Sequence, residues 1–414
     1  MLARVRRFSS LAGAIGLCGL LAACGPNGLS GGGPNFAAQP QQPNLSAPTT
    51  PVQSAPLGSP AAQQGSTIGS GPDKVALILP LTQNGAPSAI GTSLRNAAEL
   101  AYTEAGANDL TILVKDDRST PDGAREATQA AIGQGAELVL GPVFAADVRE
   151  AARVARAADK PVIGFSTDTG SASRGVYLLS FLIENYVDRI VDYASSQGKK
   201  SFGALVPEND YGNVALGEFQ QAVAKAGGRV ETIERYKPGA APAAVARIAS
   251  ALPRIDALFI PEQADAMQAV AQVLTQNGID SHKVQLLGTG VWNDARVFKL
   301  PALQGAWFAA PENAGFNAFA QRYKAKYGVE PARIATLSYD AVTLAAALAR
   351  SQGAQRFAQD TLTNTSGFNG ADGLFRFRQD GPNERGLAVL QIDNGAARTV
   401  SPAPRSFASN PSGF

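Results

Sequence analysis

Cysteine and histidine are scarce in this chain of 414 residues, and their scarcity argues against most metal and nucleophile chemistry. The two cysteines are Cys18 and Cys24, and the one histidine, His282, follows Ser281 at the end of a predicted helix. Common zinc sites use several cysteine or histidine ligands, and a Ser-His-Asp triad needs a well-placed histidine. No G-x-S-x-G elbow, phosphate loop or dinucleotide fingerprint follows a predicted strand. We therefore expect a non-enzymatic protein with no metal and no cofactor.

An excess of charge of one sign is also missing. The 36 basic and 34 acidic residues are interspersed and leave a net charge of +2. Nothing in this balance indicates a nucleic-acid partner. The adjacent Asp116 and Asp117 offer two carboxylates of the kind a glycosidase uses, but at a strand end such residues usually cap a loop or pair with a neighbour such as Arg118.

A long hydrophobic run is missing as well. The longest charge-free apolar run extends from Leu11 to Ala23, is broken by glycines, and is shorter than the roughly 20 residues that span a bilayer. Because arginines precede it and Cys24 follows it, the layout is that of a secretory signal. Loss of the signal removes Cys18, so Cys24 has no partner for a disulfide within the chain.

The segment Leu21-Ala22-Ala23-Cys24 resembles the lipobox of bacterial lipoproteins. The resemblance implies that residues 1–23 are a signal peptide, that Cys24 carries lipid, and that the protein is anchored to a membrane. In similar proteobacterial lipoproteins a residue other than Asp after the cysteine, here Gly25, implies the outer membrane. The alternative is an ordinary signal with a cysteine near its cleavage site.

No charged residue occurs from Gly25 to Pro72, where proline, glycine, serine, glutamine, asparagine and alanine predominate. Such a segment has too little apolar surface to offset the entropy of ordering, so we predict a disordered linker over 24–73. Either it is a plain spacer, or it carries the folded part across the cell wall.

From Lys74 onward, short apolar runs alternate with amphipathic segments. The first series of predicted strands comprises Val75–Leu79, Thr111–Val114, Glu137–Leu140, Pro161–Phe165 and Val176–Ser180. A second series comprises Phe202–Pro207, Arg229–Arg235, Ala257–Ile260 and Val284–Leu287. The alternation predicts an α/β protein with two Rossmann-like lobes built on parallel sheets, whose strand ends face a common crevice. Two late helices, Phe316 to Tyr327 and Ile334 to Arg350, have no strands of their own and should pack on the first lobe.

From Lys74 to Val400 the chain resembles the type 1 periplasmic-binding fold of the leucine/isoleucine/valine-binding group. The resemblance rests on Val75–Leu81, Gly141-Pro142, Lys160–Ile163, Asp210–Gly212, Tyr339–Ala341 and the glycine pattern Gly367–Gly373. It implies three crossovers between lobes, near Glu184, Pro311 and Phe368. We expect an N-terminal lobe over 74–184 and 312–368, a C-terminal lobe over 185–311 and 369–400, and a disordered tail over 401–414.

Within this group the chain looks most like lipoprotein activators of penicillin-binding proteins. The segments that carry this finer resemblance are Phe165–Asp168, Tyr177–Phe181, Leu287–Trp292, Trp307–Ala309 and Gly373–Phe377.

Two loops decide whether the crevice suits an amino acid. Amino-acid receptors of this fold have a serine-rich loop after the third strand for the carboxylate, and an acid after the last strand of the second lobe for the ammonium group. Here the first loop, Gly141–Ala146, lacks a hydroxyl, and the second, Gly288–Trp292, lacks an acid. Each charge left unpaired in a closed crevice costs several kcal/mol, so both anchors of a zwitterion are missing.

Other side chains at strand ends are candidates for lining the crevice. Hydroxyl donors are available at Ser166, Thr167 and Thr169, and acids at Asp168, Glu208 and Glu262. Phe144, Tyr211 and Trp292 are candidate apolar or stacking walls. The remaining candidates are Leu81, Thr82 and Thr289. In the alternative interpretation, Phe144 and Trp292 plug an unused crevice and Asp168 caps its loop.

Two main hypotheses follow for this extracytoplasmic protein, which we place in the periplasm with a lipid anchor in the outer membrane; a third, of another class, is a hydrolase with an atypical site. The preferred one is a regulator whose partner is a penicillin-binding protein or a cell-wall fragment. The alternative is the receptor of an ABC importer, whose partners are a branched-chain amino acid or related small solute and an ABC permease.

Overall fold

The computed structural model describes residues 66–407. The predicted signal peptide, Cys24, most of the predicted linker and the last seven residues lie outside this range. The strands in chain order are β1 (Ser66–Ile68), β2 (Asp73–Leu79), β3 (Thr82–Gln83), β4 (Ala86–Pro87), β5 (Leu110–Asp116), β6 (Leu138–Leu140), β7 (Val162–Gly164), β8 (Val176–Leu178), β9 (Ser201–Pro207), β10 (Arg229–Tyr236), β11 (Ala257–Phe259), β12 (Gln285–Gly288), β13 (Trp307–Ala310), β14 (Phe368–Gly370), β15 (Gly373–Phe377), β16 (Asn383–Arg385), β17 (Ala388–Asp393) and β18 (Ala396–Ser401).

Helices alternate with most of these strands. They are α1 (Ala89–Ala105), α2 (Pro121–Gly133), α3 (Ala145–Ala157), α4 (Ile183–Ser196), α5 (Asp210–Lys225), α6 (Ala241–Ala251), α7 (Ala264–Gln276), α8 (Ala295–Phe298), α9 (Asn313–Tyr327), α10 (Ala335–Ser351) and α11 (Gln359–Leu362). Within the described part of the chain, none of them combines the length and apolar character that crossing a membrane requires.

The first lobe is built on a six-stranded sheet in the order β1-β5-β2-β6-β7-β8. Its strands are parallel except for β1, which runs antiparallel to β5. Residues 75–79 of β2 are fully buried because helices cover both faces of the sheet. The continuous apolar run therefore predicted a central strand correctly.

The second lobe is built on a seven-stranded sheet in the order β10-β9-β11-β12-β13-β17-β18. The first five strands are parallel, whereas β17 runs antiparallel to β13 and β18 antiparallel to β17. Both sheets thus have the predicted parallel strands, with antiparallel strands added at an edge of each. The two-lobed α/β fold itself is confirmed.

Helix α10 packs against α1 across the first lobe, as predicted for the late helices. Leu337, Ala341 and Ala345 of α10 share a buried core with Leu94 and Ala98 of α1. Helix α1 begins where the Ser88 side chain accepts a hydrogen bond from the Gly91 amide at 3.1 Å. It ends at Gly106, whose φ of 57° is one that glycine adopts without strain.

The third crossover lies later in the chain than expected. Strands β14, β15 and β16 form a small separate sheet, and Phe375 and Phe377 of β15 belong to the core of the first lobe. Leu387 and Val389, by contrast, belong to a core of the second lobe. The crossover therefore follows Arg385 instead of lying near Phe368, because the phenylalanine side chains of β15 are buried against the first lobe.

The ends of the folded part also differ from expectation. Ser66–Ile68, within the predicted disordered linker, pairs with β5, and Ile68 is buried in the first-lobe core. At the other end, Ser401 closes β18 and the ring of Phe407 lies 4.5 Å from the guanidinium carbon of Arg376. Ser66–Ile68 of the predicted linker is thus ordered by pairing with a sheet edge. Phe407 of the predicted tail is ordered by stacking on Arg376.

Candidate functional site

The loops at the carboxyl ends of the strands hold most of the predicted site residues. In the loop after β6, Phe144 occupies the position before α3 and is 41% exposed. The exposed Phe144 ring therefore does not fill the crevice, which argues against the interpretation of Phe144 as a plug. No hydroxyl side chain occurs between Gly141 and Ala146, as the sequence analysis stated.

The loop after β7 is organised by its own side chains. The Asp168 carboxylate accepts a hydrogen bond from the Gly170 amide at 2.9 Å and pairs with Arg149 at 3.1 Å. The Ser166 hydroxyl accepts from the Asp168 amide at 3.0 Å, while Thr167 is exposed. The capping interpretation of Asp168 is therefore the one that the contacts favour.

The candidates after β2 are joined to the next strand. Thr82 donates through its hydroxyl to one Asp116 carboxylate oxygen at 2.6 Å and through its amide to the other at 3.1 Å. Leu81 packs against the first-lobe core. These contacts fix the loop after β2 and occupy the Thr82 hydroxyl.

Neither acid of the second lobe is a free buried carboxylate. Glu208 is exposed. Glu262 is buried, but its two oxygens accept hydrogen bonds from the Tyr236 hydroxyl at 2.5 Å and the Gln263 amide at 2.7 Å. Burial raises the pKa of the Tyr236 hydroxyl, so that group acts as the donor.

Trp292 is fully buried in the core of the second lobe. A Cβ atom placed on Gly288 would lie 2.2 Å from its indole ring, so the glycine makes room for the ring. Trp292 therefore packs in the core beneath the loop after β12, and it neither forms a wall of the crevice nor plugs it.

Tyr211 and Thr289 are predicted candidates that the structure brings together from segments far apart in the chain. Their hydroxyl oxygens lie 2.6 Å apart, which joins the first turn of α5 to the loop after β12. Thr289 is fully buried, and burial raises the pKa of the Tyr211 hydroxyl. The pair places two neutral hydroxyls at the carboxyl edge of the second sheet.

The lobes meet beside this pair. Thr169 of the first lobe donates to the Glu184 carboxylate at the start of α4 at 3.0 Å. Tyr186, two residues further along α4, is 8% exposed and lies against Gly290, where an added Cβ atom would come within 2.4 Å of its ring. Burial raises the pKa of Tyr186 to about 12, so its hydroxyl is also neutral.

A charged group that the sequence analysis missed lies next to Tyr186. We call it the junction cluster; it consists of Phe181, Arg333, Asp340, Asp372 and Arg385. The guanidinium carbons of Arg333 and Arg385 lie 4.6 Å and 4.7 Å from the centre of the Phe181 ring. Asp372, fully buried at its side chain, binds both outer nitrogens of Arg333 at 2.5 Å and 3.0 Å. The cluster joins segments far apart in sequence at the place where the chain crosses between lobes.

Asp340 explains two landmarks of the sequence at once. One of its carboxylate oxygens accepts from the Ala371 amide at 2.6 Å, and the other lies where a Cβ atom on Gly370 would come within 2.2 Å. The aspartate of Tyr339–Ala341 thus holds the turn of the glycine pattern. Burial raises the pKa of Asp340 to about 7, although Arg385 opposes that rise.

A further pair of buried carboxyls lies on the first lobe. Burial raises the pKa of Asp117 to about 7 and that of Asp147 to about 6, and one oxygen of each has no hydrogen-bond partner in the described part of the chain. Asp116, in contrast, is engaged by Thr82 and by the Arg118 amide at 2.8 Å. Asp116 and Asp117, although adjacent in sequence, therefore have different surroundings: Asp116 is hydrogen-bonded within its loop, and Asp117 is buried.

Two lobes joined by crossovers, with polar side chains at the strand ends and at the crossovers, define a two-lobed α/β binding protein. The chain belongs to the periplasmic binding protein family, which it matches over residues 72–397. Membership implies an extracytoplasmic location. No sequence among the curated proteins matches the chain significantly.

Solved structures share the fold. A candidate branched-chain amino acid ABC transporter protein from Rhodospirillum rubrum has a TM-score of 0.70 at 20% identity, over 79% of this chain and 99% of that one. A solute-binding protein of an ABC transporter from Rhodopseudomonas palustris, in complex with 3,4-dihydroxybenzoic acid, has a TM-score of 0.56 at 22% identity, over 80% and 96%.

The substrate-binding protein of a branched-chain amino acid transporter from Streptococcus pneumoniae, in complex with isoleucine, has a TM-score of 0.55 at 22% identity, over 80% of this chain and 99% of that one. At such identities the likeness shows the fold alone. The type 1 periplasmic-binding resemblance of the sequence analysis is confirmed. The finer resemblance to activators of penicillin-binding proteins is not confirmed.

Proposed function

We propose that the protein is the solute-binding component of an ABC importer and that it binds a small solute between its two lobes. The observation that carries the proposal is the gathering of Tyr186, Tyr211, Thr289 and the junction cluster where the lobes meet. Small-molecule sites in two-lobed α/β proteins combine a few such polar groups with aromatic walls. The fold relatives that are named as transport receptors support the same function.

The loops after β6 and β12 do not bind the solute in the way that the corresponding loops of amino-acid receptors bind an amino acid. The loop after β6 offers no hydroxyl, and Trp292 of the loop after β12 is buried in the core. The solutes named for the fold relatives include isoleucine and 3,4-dihydroxybenzoic acid, both of which carry a carboxyl group. We therefore propose a small carboxylic acid as the first solute class to test.

The anchor belongs to the proposal as well. Lipid on Cys24 would hold the receptor at a membrane surface, with the linker giving it reach. This part rests on the sequence, as does the outer-membrane location that Gly25 implies. Mass spectrometry of the N-terminal peptide from envelope fractions tests it: a free Cys24 thiol or an intact signal peptide would contradict it.

The missing loop anchors favour a second candidate function, the regulator of a penicillin-binding protein. Its partner would be a protein surface or a cell-wall fragment instead of a transported solute. The two functions give opposite results in one binding experiment.

The experiment is thermal unfolding of the full chain, purified in detergent, in the presence of amino acids, aromatic acids, muropeptides or a purified penicillin-binding protein. A binder of the folded state raises the unfolding temperature, by an amount that grows with concentration over Kd. We expect at least one small acid to raise it by several degrees, and Tyr211→Ala to abolish the effect. Tyr193→Ala, which removes a ring packed against Trp307, should preserve it. Stabilisation by muropeptides or the synthase, with none by small solutes, would replace the importer by the regulator.

A further inference from the structure

The guanidinium of Arg385 is the most under-satisfied charge at the junction of the lobes. Arg385 ends β16 and is 7% exposed. Its Nε donates to the Ser180 carbonyl at 2.9 Å, whereas Nη1 and Nη2 are buried with no hydrogen-bond partner among residues 66–407. A buried charged donor without an acceptor is strongly unfavourable, so native proteins supply a partner for it.

Aromatic rings fix the orientation of this guanidinium without supplying an acceptor. Phe181 lies 4.7 Å and Phe375 lies 5.6 Å from its central carbon. Phe181 also contacts Arg333 at 4.6 Å and is only partly buried. Cation–π contacts and the Ser180 bond hold Arg385 in place, and its two outer nitrogens are left unused.

The carboxylates of the junction cluster accept no hydrogen bond from Nη1 or Nη2 of Arg385. Asp372 is bound by Arg333. Asp340 directs one oxygen to the Ala371 amide, and within the described residues it forms no ion pair with either arginine. Since burial also raises the pKa of Asp340 to about 7, a substantial share of Asp340 is uncharged at neutral pH. In that share of molecules, the cluster holds one positive charge more than it neutralises.

We infer that Nη1 and Nη2 of Arg385 bind the carboxylate group of the solute. A carboxylate presents two acceptor oxygens in one plane, which matches the fork of two guanidinium nitrogens. Phe181 lies against Arg385 and packs on the cores of both lobes, and Tyr186 belongs to the core of the second lobe, so an acid bound beside them contacts both lobes. The inference rests on the proposed function and names the group of the solute that the receptor recognises.

The competing explanation is an internal water that bridges Arg385 to Asp340, whose second oxygen also has no partner among residues 66–407. Such a water would satisfy both groups and leave no site for a ligand. The two explanations differ in one measurable property, the discrimination between an acid and its amide.

The test is calorimetric titration of the full chain in detergent with matched pairs, leucine against leucinamide and benzoate against benzamide. We expect at least one acid to bind and its amide to bind at least about tenfold more weakly, because the amide has lost the charged acceptor. Arg385→Gln should weaken the acid by about tenfold or more and abolish the discrimination. Arg376→Gln is the matched control, because Arg376 lies on the neighbouring strand and pairs with Glu384.

Each other result overturns the inference in a recognisable way. Equal binding of acid and amide to the native chain, or unchanged discrimination in Arg385→Gln, would favour the water bridge. Tight binding of inorganic phosphate that displaces the acid would show a general anion site. If no solute of any charge binds, the proposed function fails and the inference fails with it. If Arg385→Gln does not fold, titration of the native chain with the matched acids and amides still distinguishes a carboxylate site from a water bridge.

Discussion

The hydroxyl of Tyr211 lies 2.6 Å from that of Thr289, and this bond connects helix α5 to the loop after β12. Both residues stand at the carboxyl edge of the second sheet, on segments almost 80 positions apart. A hydrogen bond of this kind fixes the relative position of two loops that would otherwise move independently. We therefore expect it to support both the fold of the second lobe and the shape of the crevice.

A double-mutant cycle measures that bond. Tyr211→Phe and Thr289→Val each remove one hydroxyl, and the interaction energy between them should be about 1 kcal/mol in urea unfolding. Tyr193→Phe combined with Thr289→Val is the control, because the Tyr193 ring packs against Trp307 and the hydroxyl of Thr289 is bonded to Tyr211 instead. An interaction energy near zero for Tyr211 and Thr289 would show that the contact contributes nothing.

Asp117 should make the stability of the protein depend on pH. Burial raises its pKa from 3.8 to about 7, so between those values the folded state keeps a proton that the unfolded state has lost. The free energy of unfolding therefore falls as pH rises from about 4 to about 7, and this contribution is constant above that range. Asp147 and Asp340, with pKa values raised to about 6 and about 7, act in the same direction.

The variant Asp117→Asn tests this contribution. Asparagine preserves the acceptor for the Ser119 amide but carries no charge. The difference in free energy of unfolding, variant minus native chain, should be more favourable at pH 8 than at pH 4. The free energy of unfolding of the variant should therefore fall less steeply between these pH values. Asp109→Asn, the same substitution at an exposed position, is the matched control. A variant with the native slope would mean that Asp117 is not a source of the pH dependence.

Gly288 is expected to tolerate no side chain. A Cβ atom there would lie 2.2 Å from the ring of Trp292, which is buried on every side. Gly288→Ala should therefore lower the free energy of unfolding by about 1–3 kcal/mol and change the tryptophan fluorescence. Gly217→Ala, in α5 with open space around the glycine, should instead raise it by up to about 1 kcal/mol. Equal effects of the two changes would contradict the tight packing of Trp292.

Apolar runs and helical spacing predicted the central strands because those signals are local. Residues 75–79 are buried on both faces, and an uninterrupted apolar run is what such a strand requires. Strands β13, β17 and β18 and the small sheet were not predicted as such, since their pairing joins segments as far apart as Trp307 and Gln391. An apolar run at Ala388–Asp393 was a usable signal for β17.

The candidate site was predicted less well for the same reason. Tyr211 and Thr289 were named because each follows a strand of the second lobe, and parallel strand ends meet at one edge. Arg333 and Arg385 contact Phe181 from distant parts of the chain, and Asp372 binds Arg333. No spacing in the sequence indicates these contacts. Asp340 and Gly370 were noticed as landmarks of the fold, and their mutual contact shows why both residues are needed there.

The most direct test of solute binding between the lobes is a crystal structure of the protein with the tightest-binding acid from the titrations. We predict that the carboxylate lies against Nη1 and Nη2 of Arg385, with the rest of the solute contacting the second lobe near Tyr186. A solute found on the outer surface of either lobe, with the junction cluster unchanged, would contradict binding in the crevice.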